Sequence, residues 1–330
     1  KEFVHFIESN YRSWMNAEDR PMFSKDIVKQ YVKPILEQDK NVCLLVVDCM
    51  RHDHFKAMMP LLEQFYTIDL SYMFSLLPTA TPYSRNAIFC GMYPDEMVTN
   101  YPEQASDMEE DASSLNRHEK QFLLDQLETL GLGHKSMHYH KIWAVQEGKK
   151  FQNRIKDYAQ QDLLALVVNF VDILAHKSSQ MEVLKEMVPD ESGYRTAVRS
   201  WLEHSWLLQV LKRLSENGWS VIMTSDHGSI RVQKDVMVAA DRNASSGVRY
   251  KFGRNLNTNE KNALIIKEPG HYRLPVFGPQ PSYIIAKDEN YFVYPNEAHK
   301  YQAKFKNSFQ HGGISMEEMM VPVAVMKGRG

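Results

Sequence analysis

Seven side chains able to hold a divalent cation or attack phosphorus stand at the ends of apolar, strand-like runs, in the order Asp48, Thr81, Asp172, His176, Asp226, His227 and His311. A hydroxyl attacks phosphorus at neutral pH only when something holds it as an alkoxide. One divalent cation does so, while a second steadies the leaving oxygen or activates water. Three carboxylates, three imidazoles and one threonine furnish the oxygen and nitrogen ligands of two such sites. Taken singly, Asp48 reads as an ordinary strand-end helix cap, and each histidine as a satisfied structural residue. Their recurrence after strand-like runs is what points to metal chemistry.

The local contexts sharpen the reading. In Leu77-Pro78-Thr79-Ala80-Thr81-Pro82, a proline directly after Thr81 suits the first helical position. That puts Thr81 at the N-cap, with following amides and the positive helix end beside its hydroxyl. Thr79 competes for the nucleophile role, two residues earlier. Asp172 and His176 are spaced to share one side of a helical turn. In Asp226-His227-Gly228 the glycine permits a sharp turn that lets both side chains converge, and His311-Gly312-Gly313 repeats the device. Arg51, His52, Asp53 and His54 read as a hydrogen-bonded turn rather than as further ligands.

The elements that must carry these residues are legible as short apolar runs: Val42 to Val47 before Asp48, Leu163 to Phe170 before Asp172, and Ser220 to Thr224 before Asp226. Separated by helical stretches such as Lys120 to Leu130 and Tyr194 to Glu216, they predict an α/β fold with a mostly parallel central sheet and helices on both faces. Such sheets collect ligands at the carboxyl ends of their strands. Helical spacing before residue 38, with a kink or stop at Pro34, predicts a helical lead-in over 1–38 and one domain over 39–330. The 330 residues, 43% hydrophobic and 24% charged, suffice for a large core, and a net charge of -2 gives no global pull toward nucleic acid or membrane. Cys43, Cys49 and Cys90 form no C-x-x-C pair and predict buried, reduced thiols in a cytoplasmic protein. No apolar stretch predicts a membrane span or signal peptide. A start at Lys1 suggests a fragment of a longer chain.

Together these motifs resemble the alkaline phosphatase superfamily and within it the PglZ-type domains, most closely the effector half of two-component response regulators of type IX secretion. The resemblance spans Asn41 to Lys327 and implies two zinc ions, one on Asp48, Asp226, His227 and Thr81, the other on Asp172, His176 and His311. Manganese uses the same ligand atoms. Pro78-Thr79-Ala80-Thr81, with Gly91-Met92-Tyr93-Pro94 shortly after, is similar to the Pro-Thr-Lys-Thr and Gly-Leu-Tyr-Pro of nucleotide pyrophosphatases. Their second threonine is the nucleophile, which implies Thr81 and a phosphothreonine formed by double displacement. Their phosphate-binding asparagine has no counterpart at the same offset, and Asn100 is the nearest candidate. Arg85, four residues after the nucleophile, resembles sulfatases, but Thr81 followed by Pro82 argues against one.

Substrate contacts are read from local charge. Arg231, Lys234, Arg242, Arg249, Lys251 and Arg254 are interleaved with Tyr250 and Phe252, a pattern that cradles phosphates and stacks bases or else forms a solvated insertion. His138 and His140 belong to a second group of donors over Gly133–Lys141, which reads equally as an alternating strand with one wet face. The expectation is a phosphodiesterase acting on nucleotide diesters, short or cyclic oligonucleotides. A second reading is a regulatory module that docks a sigma factor, another transcription factor or a secretion component. The resemblance further implies an upstream receiver domain, and a homodimer once that receiver is phosphorylated.

Overall fold

The apolar runs become adjacent strands. In a computed structural model that describes residues 1–109, 117–240, 245 and 247–329, the central sheet comprises β1 (Val42–Val47), β2 (Tyr66–Phe74), β3 (Met137–Ile142), β4 (Leu163–Val168), β5 (Ser220–Thr224) and β6 (Met320–Gly328). Their order is β2-β6-β5-β1-β4-β3. β1 pairs in parallel with β4 and β5, β4 with β3, and only β6 runs against its neighbours. Every residue of β1 and β4 is buried, which is why these strands read as unbroken apolar runs without alternation.

Successive β1 side chains enter opposite cores. Val42, Leu44 and Val46 pack with the lead-in and with helices Thr81–Cys90 and Glu119–Thr129. Cys43, Leu45 and Val47 pack with helices His52–Leu62, Glu191–Glu203 and Trp206–Glu216. Helices therefore cover both faces, as two-sided burial requires.

Several boundaries differ from the sequence reading. The second run stops at Val168, and Phe170 already opens the helix Phe170–Ser178 that carries Asp172 and His176. The stretch from Tyr194 to Glu216 is two helices, because Ser205 is extended (φ -92, ψ 158) and restarts the chain. The hydrogen-bonded turn read at Arg51–His54 is the N-cap and first turn of the helix His52–Leu62, with the Arg51 amide donating to His54 Nδ1. Pro34 does not end its helix. It lies in Lys33–Leu36, which continues without a break from the π-helical stretch Val28–Val32, and that widened turn is where the helical run is distorted.

The lead-in helix Glu2–Trp14 and the turns after it belong to the first core, through Tyr11, Phe23, Ile27 and Val28. The Tyr11 hydroxyl accepts from the Leu77 amide, so this segment supports the loop that leads to Thr81. Between β5 and β6 the chain builds an antiparallel sheet of Tyr250–Gly253, Ser282–Ala286 and Ala263–Ile266 and a parallel pair of Lys234–Met237 with Asn290–Val293. A short pair of Ile230–Arg231 with Phe309–Gln310 then brings His311 back beside the strand end that carries His227. All three cysteines are buried, and burial pushes their thiols up, that of Cys90 to about 12. Among the described residues no helix is long and apolar enough to cross a membrane.

Candidate active site

Six of the seven singled-out residues meet in two triads at the carboxyl edge of the parallel strands. Asp48, Asp226 and His227 each present a ligand atom within 4.8 Å of the others, and so do Asp172, His176 and His311. In the first triad His227 Nε2 lies 3.6 Å from Asp48 Oδ1 and 3.5 Å from Asp226 Oδ2. In the second, His176 Nε2 lies 3.2 Å from Asp172 Oδ1, and His311 Nε2 is 3.3 Å from His176 Nε2 and 3.6 Å from Asp172 Oδ1. The rings of His227 and His311 stack at 4.0 Å and join the two groups. The seventh residue completes the site: Thr81 Oγ1 is 3.2 Å from His227 Nε2.

These residues fit a pair of cations by three local signs. Each buried carboxylate of the first triad has one satisfied oxygen and one orphan. Asp48 Oδ2 accepts from Arg85 Nη1 at 2.8 Å, and Asp226 Oδ1 accepts from the amides of Cys49 (3.2 Å) and His227 (2.9 Å). Asp48 Oδ1, Asp226 Oδ2 and, in the second triad, Asp172 Oδ1 have no hydrogen-bond partner. A buried orphan oxygen is costly unless something cationic meets it. The imidazoles are also oriented as ligands. His227 Nδ1 faces the Gly228 carbonyl at 3.0 Å and His311 Nδ1 the Thr79 carbonyl at 3.0 Å. A carbonyl only accepts, so both Nδ1 atoms carry the proton and both Nε2 atoms are left with a free lone pair.

Electrostatics give the third sign. Burial, together with the Asp226 and Asp172 charges, holds Asp48 well above the usual carboxylate range, and burial raises Asp226 as well. Burial holds His227 down and, aided by the neighbouring His227, His311 far down. Asp172 is opposed by burial, but the adjacent imidazoles of His176, His311 and His227 pull it low. Against burial, Asp172 in turn raises His176, so these two stand as an ion pair, whereas Asp48 and Asp226 are forced toward the neutral form and His227 and His311 are kept neutral, the pattern of donors that a cation would complete.

The nucleophile loop departs from expectation in one respect. Ala80 is the N-cap, extended at φ -139 and ψ 148, and Thr81 is the first helical residue, with Pro82 behind it. The Tyr83 and Ser84 amides donate to the Ala80 carbonyl and Pro82 has none, so the hydroxyl meets the positive helix end rather than a row of free amides. Thr79 is structural: its hydroxyl donates to the Gly313 carbonyl (2.8 Å) and accepts from the Gly312 amide (3.1 Å), tying the His311 loop to the nucleophile loop. Gly228 is needed for space rather than for a left-handed turn, since a Cβ there would sit 1.8 Å from the Glu317 carbonyl oxygen. Gly312, at φ +119, does need its conformational freedom.

The residues expected to contact substrate scatter. Arg85, 1% exposed, is locked between Asp48 Oδ2, Glu119 (Nε to Oε1, 2.8 Å) and Asn169, so it positions a ligand from behind. Arg249 is fully buried on Glu318 and the Asn290 carbonyl, and Lys251 donates to the Ser245 carbonyl at 3.1 Å. Both hold the inserted sheets together. Arg254 is exposed on the insertion and Arg242 lies outside the described residues. Asn100 is exposed at a helix end, its amide donating to the Glu96 carbonyl. His138 stacks on Tyr158 and His140 packs on Phe151, on the face of β3 away from Glu119. Sequence reasoning missed Glu119 and Asn169, which hold Arg85, and took Lys141, 3.8 Å from Glu119, only as the end of the Gly133–Lys141 donor group. Period-two alternation along β3, counted from its histidines, was the available signal for Tyr139 and Lys141 on the other face.

The chain was compared with known proteins. No curated protein matches it in sequence. Among solved structures it is similar to human ectonucleotide pyrophosphatase/phosphodiesterase 5, with 12% identity over 86% of this chain and 87% of that one and a TM-score of 0.58. The murine counterpart gives 13% identity over 86% and 88%, with a TM-score of 0.55. Its inactive form in complex with AMP gives 12% over 86% and 87%, with a TM-score of 0.54. At such identities the likeness shows the fold. The family model for the BREX system PglZ alkaline phosphatase-like domain matches residues 27–326, and the chain belongs to that family.

Proposed function

We propose that the chain is a metal-dependent phosphodiesterase that hydrolyses nucleotide-type diesters, short or cyclic oligonucleotides, through a phosphothreonine at Thr81. The observation that carries this reading is the meeting of two ligand triads, with their orphaned carboxylate oxygens, beside a single threonine hydroxyl. Asp48, Asp226 and His227 would hold one Zn2+ and Asp172, His176 and His311 another, with Mn2+ satisfying the same atoms. Bound there, such cations stabilise an alkoxide, a leaving oxygen and a hydroxide at neutral pH.

The chain's own groups do the rest. Thr81 Oγ1, its negative charge favoured by the positive end of helix Thr81–Cys90, attacks phosphorus as the bond to the leaving oxygen breaks. Water then forms a bond to phosphorus from the opposite side, the Oγ1–P bond breaks, and Thr81 recovers its proton. Arg85 keeps one oxygen of Asp48 occupied so that the other faces the centre.

The choice of a diester is supported by the Pro-Thr-x-Thr resemblance and by the phosphodiesterase names of the similar folds, one of them holding AMP. The sequence resemblance alone supports a wider setting: the effector half of a cytoplasmic response regulator of type IX secretion, homodimeric once its receiver is phosphorylated, with a sigma or other transcription factor downstream. With zinc present, bis-p-nitrophenyl phosphate should turn over faster than p-nitrophenyl phosphate, and Thr81→Val should lower kcat/KM by at least roughly a thousandfold. Faster turnover of the monoester, or an active Thr81→Val, would contradict the reading.

A further inference from the structure

The odd-numbered residues of β3 line the face of the sheet on which the nucleophile helix packs. The Tyr139 ring meets Phe89 of that helix edge-on at 5.8 Å, and its hydroxyl donates to Glu119. Lys141 Nζ lies 3.8 Å from Glu119 Oε1. Glu119 in turn holds Arg85, whose other end holds Asp48, so Lys141 is two side chains from a ligand of the first triad.

One alternation further, Trp143 continues the same face. The Lys141 ammonium lies over its ring, 5.0 Å from the centroid, and yet Trp143 is 51% exposed. It stands just past the carboxyl end of β3, and because β3 runs parallel to β4 and β1, this is the edge of the sheet on which Asp48 and Asp172 lie. Its backbone is pinned. The amides of Trp143 and Ala144 both donate to Glu147 Oε2, at 2.8 and 3.3 Å. A large aromatic held on a fixed backbone and left half in water has the properties of a stacking platform, and a cation beside it supplies the charge that a nucleotide needs.

We propose that Lys141 and Trp143 form the nucleotide subsite at the rim of this centre, the indole stacking on a nucleobase and the Lys141 ammonium meeting an anionic oxygen of the same nucleotide. The inference rests on the phosphodiesterase reading above and names which part of the substrate the chain recognises. It is tested by two diesters with a common leaving group, thymidine 5′-(p-nitrophenyl phosphate) and methyl p-nitrophenyl phosphate, hydrolysed by the zinc-loaded chain. Trp143→Ala should lower the ratio of their kcat/KM values roughly tenfold, chiefly through KM for the nucleoside ester, and Trp143→Phe should keep most of the ratio.

A ratio in Trp143→Ala within about twofold of the native value would overturn the subsite. If the native chain hydrolyses neither ester, the phosphodiesterase reading fails and the subsite is judged by binding alone. In equilibrium dialysis Trp143→Ala should then weaken AMP binding roughly tenfold relative to inorganic phosphate. Equal affinity of the two proteins for AMP would overturn the subsite by that route.

Discussion

At the scale of single residues, the two triads bring three carboxylates and three imidazoles together, with one oxygen of each carboxylate left without a hydrogen-bond partner. Carboxylates and imidazoles after apolar runs announce themselves because cation binding restricts which side chains serve. Arginines and lysines carry no such restriction: Arg85 and Arg249 look alike in sequence to phosphate-binding residues, but each is sealed in a buried pair with a carboxylate. The triads themselves make a prediction about protons. Asp48 and Asp226 are held above the ordinary carboxylate value, so the metal-free fold binds protons there more tightly than the unfolded chain. Their contribution to stability therefore falls as pH climbs from about 4 through the raised values. A cation needs those oxygens bare. Adding zinc to chelated protein at a pH below those raised values should release protons, seen as a binding enthalpy that varies with the ionisation heat of the buffer, and Asp48→Asn should release fewer. An enthalpy indifferent to the buffer would contradict this electrostatic picture.

At the scale of elements, the strands that carry Asp48, Asp172 and Asp226 were readable because burial on both faces writes them as apolar runs. β3 was harder. It is an edge strand with both faces partly open, so Gly133–Lys141 read as one group of donors, and His138 and His140 were picked from it rather than Tyr139 and Lys141, which face Glu119. Alternation specifies two faces but does not say which one meets the site. The loop after β5 illustrates a constraint that sequence hides: the backbone at Gly228 must pass close to the Glu317 carbonyl that precedes β6. Gly228→Ala should force these loops apart, cost about 1–3 kcal/mol of unfolding free energy in denaturant titration, and weaken zinc binding through displaced Asp226 and His227. Unchanged stability and unchanged zinc affinity would show that the close approach is not required.

At the scale of the whole molecule, the mostly parallel sheet brings Asp48, Asp172 and Asp226 to one edge, and the inserted sheets between β5 and β6 return His311 to them. That long return was legible only as a charged insertion ending at His311, because its strands are short and its glycines and buried ion pairs have no fixed spacing. The placement of Thr81 by the loop between β2 and its helix, and of His311 by a loop more than two hundred residues later, depends on Thr79 bonding to Gly312 and Gly313. Elemental analysis of protein purified without chelator measures the consequence directly. A metal content near two zinc or manganese ions per chain, falling in Asp226→Asn and in His311→Ala, is the predicted result. A content near zero in the native protein would contradict the two-cation centre and favour a fold that acts by docking alone.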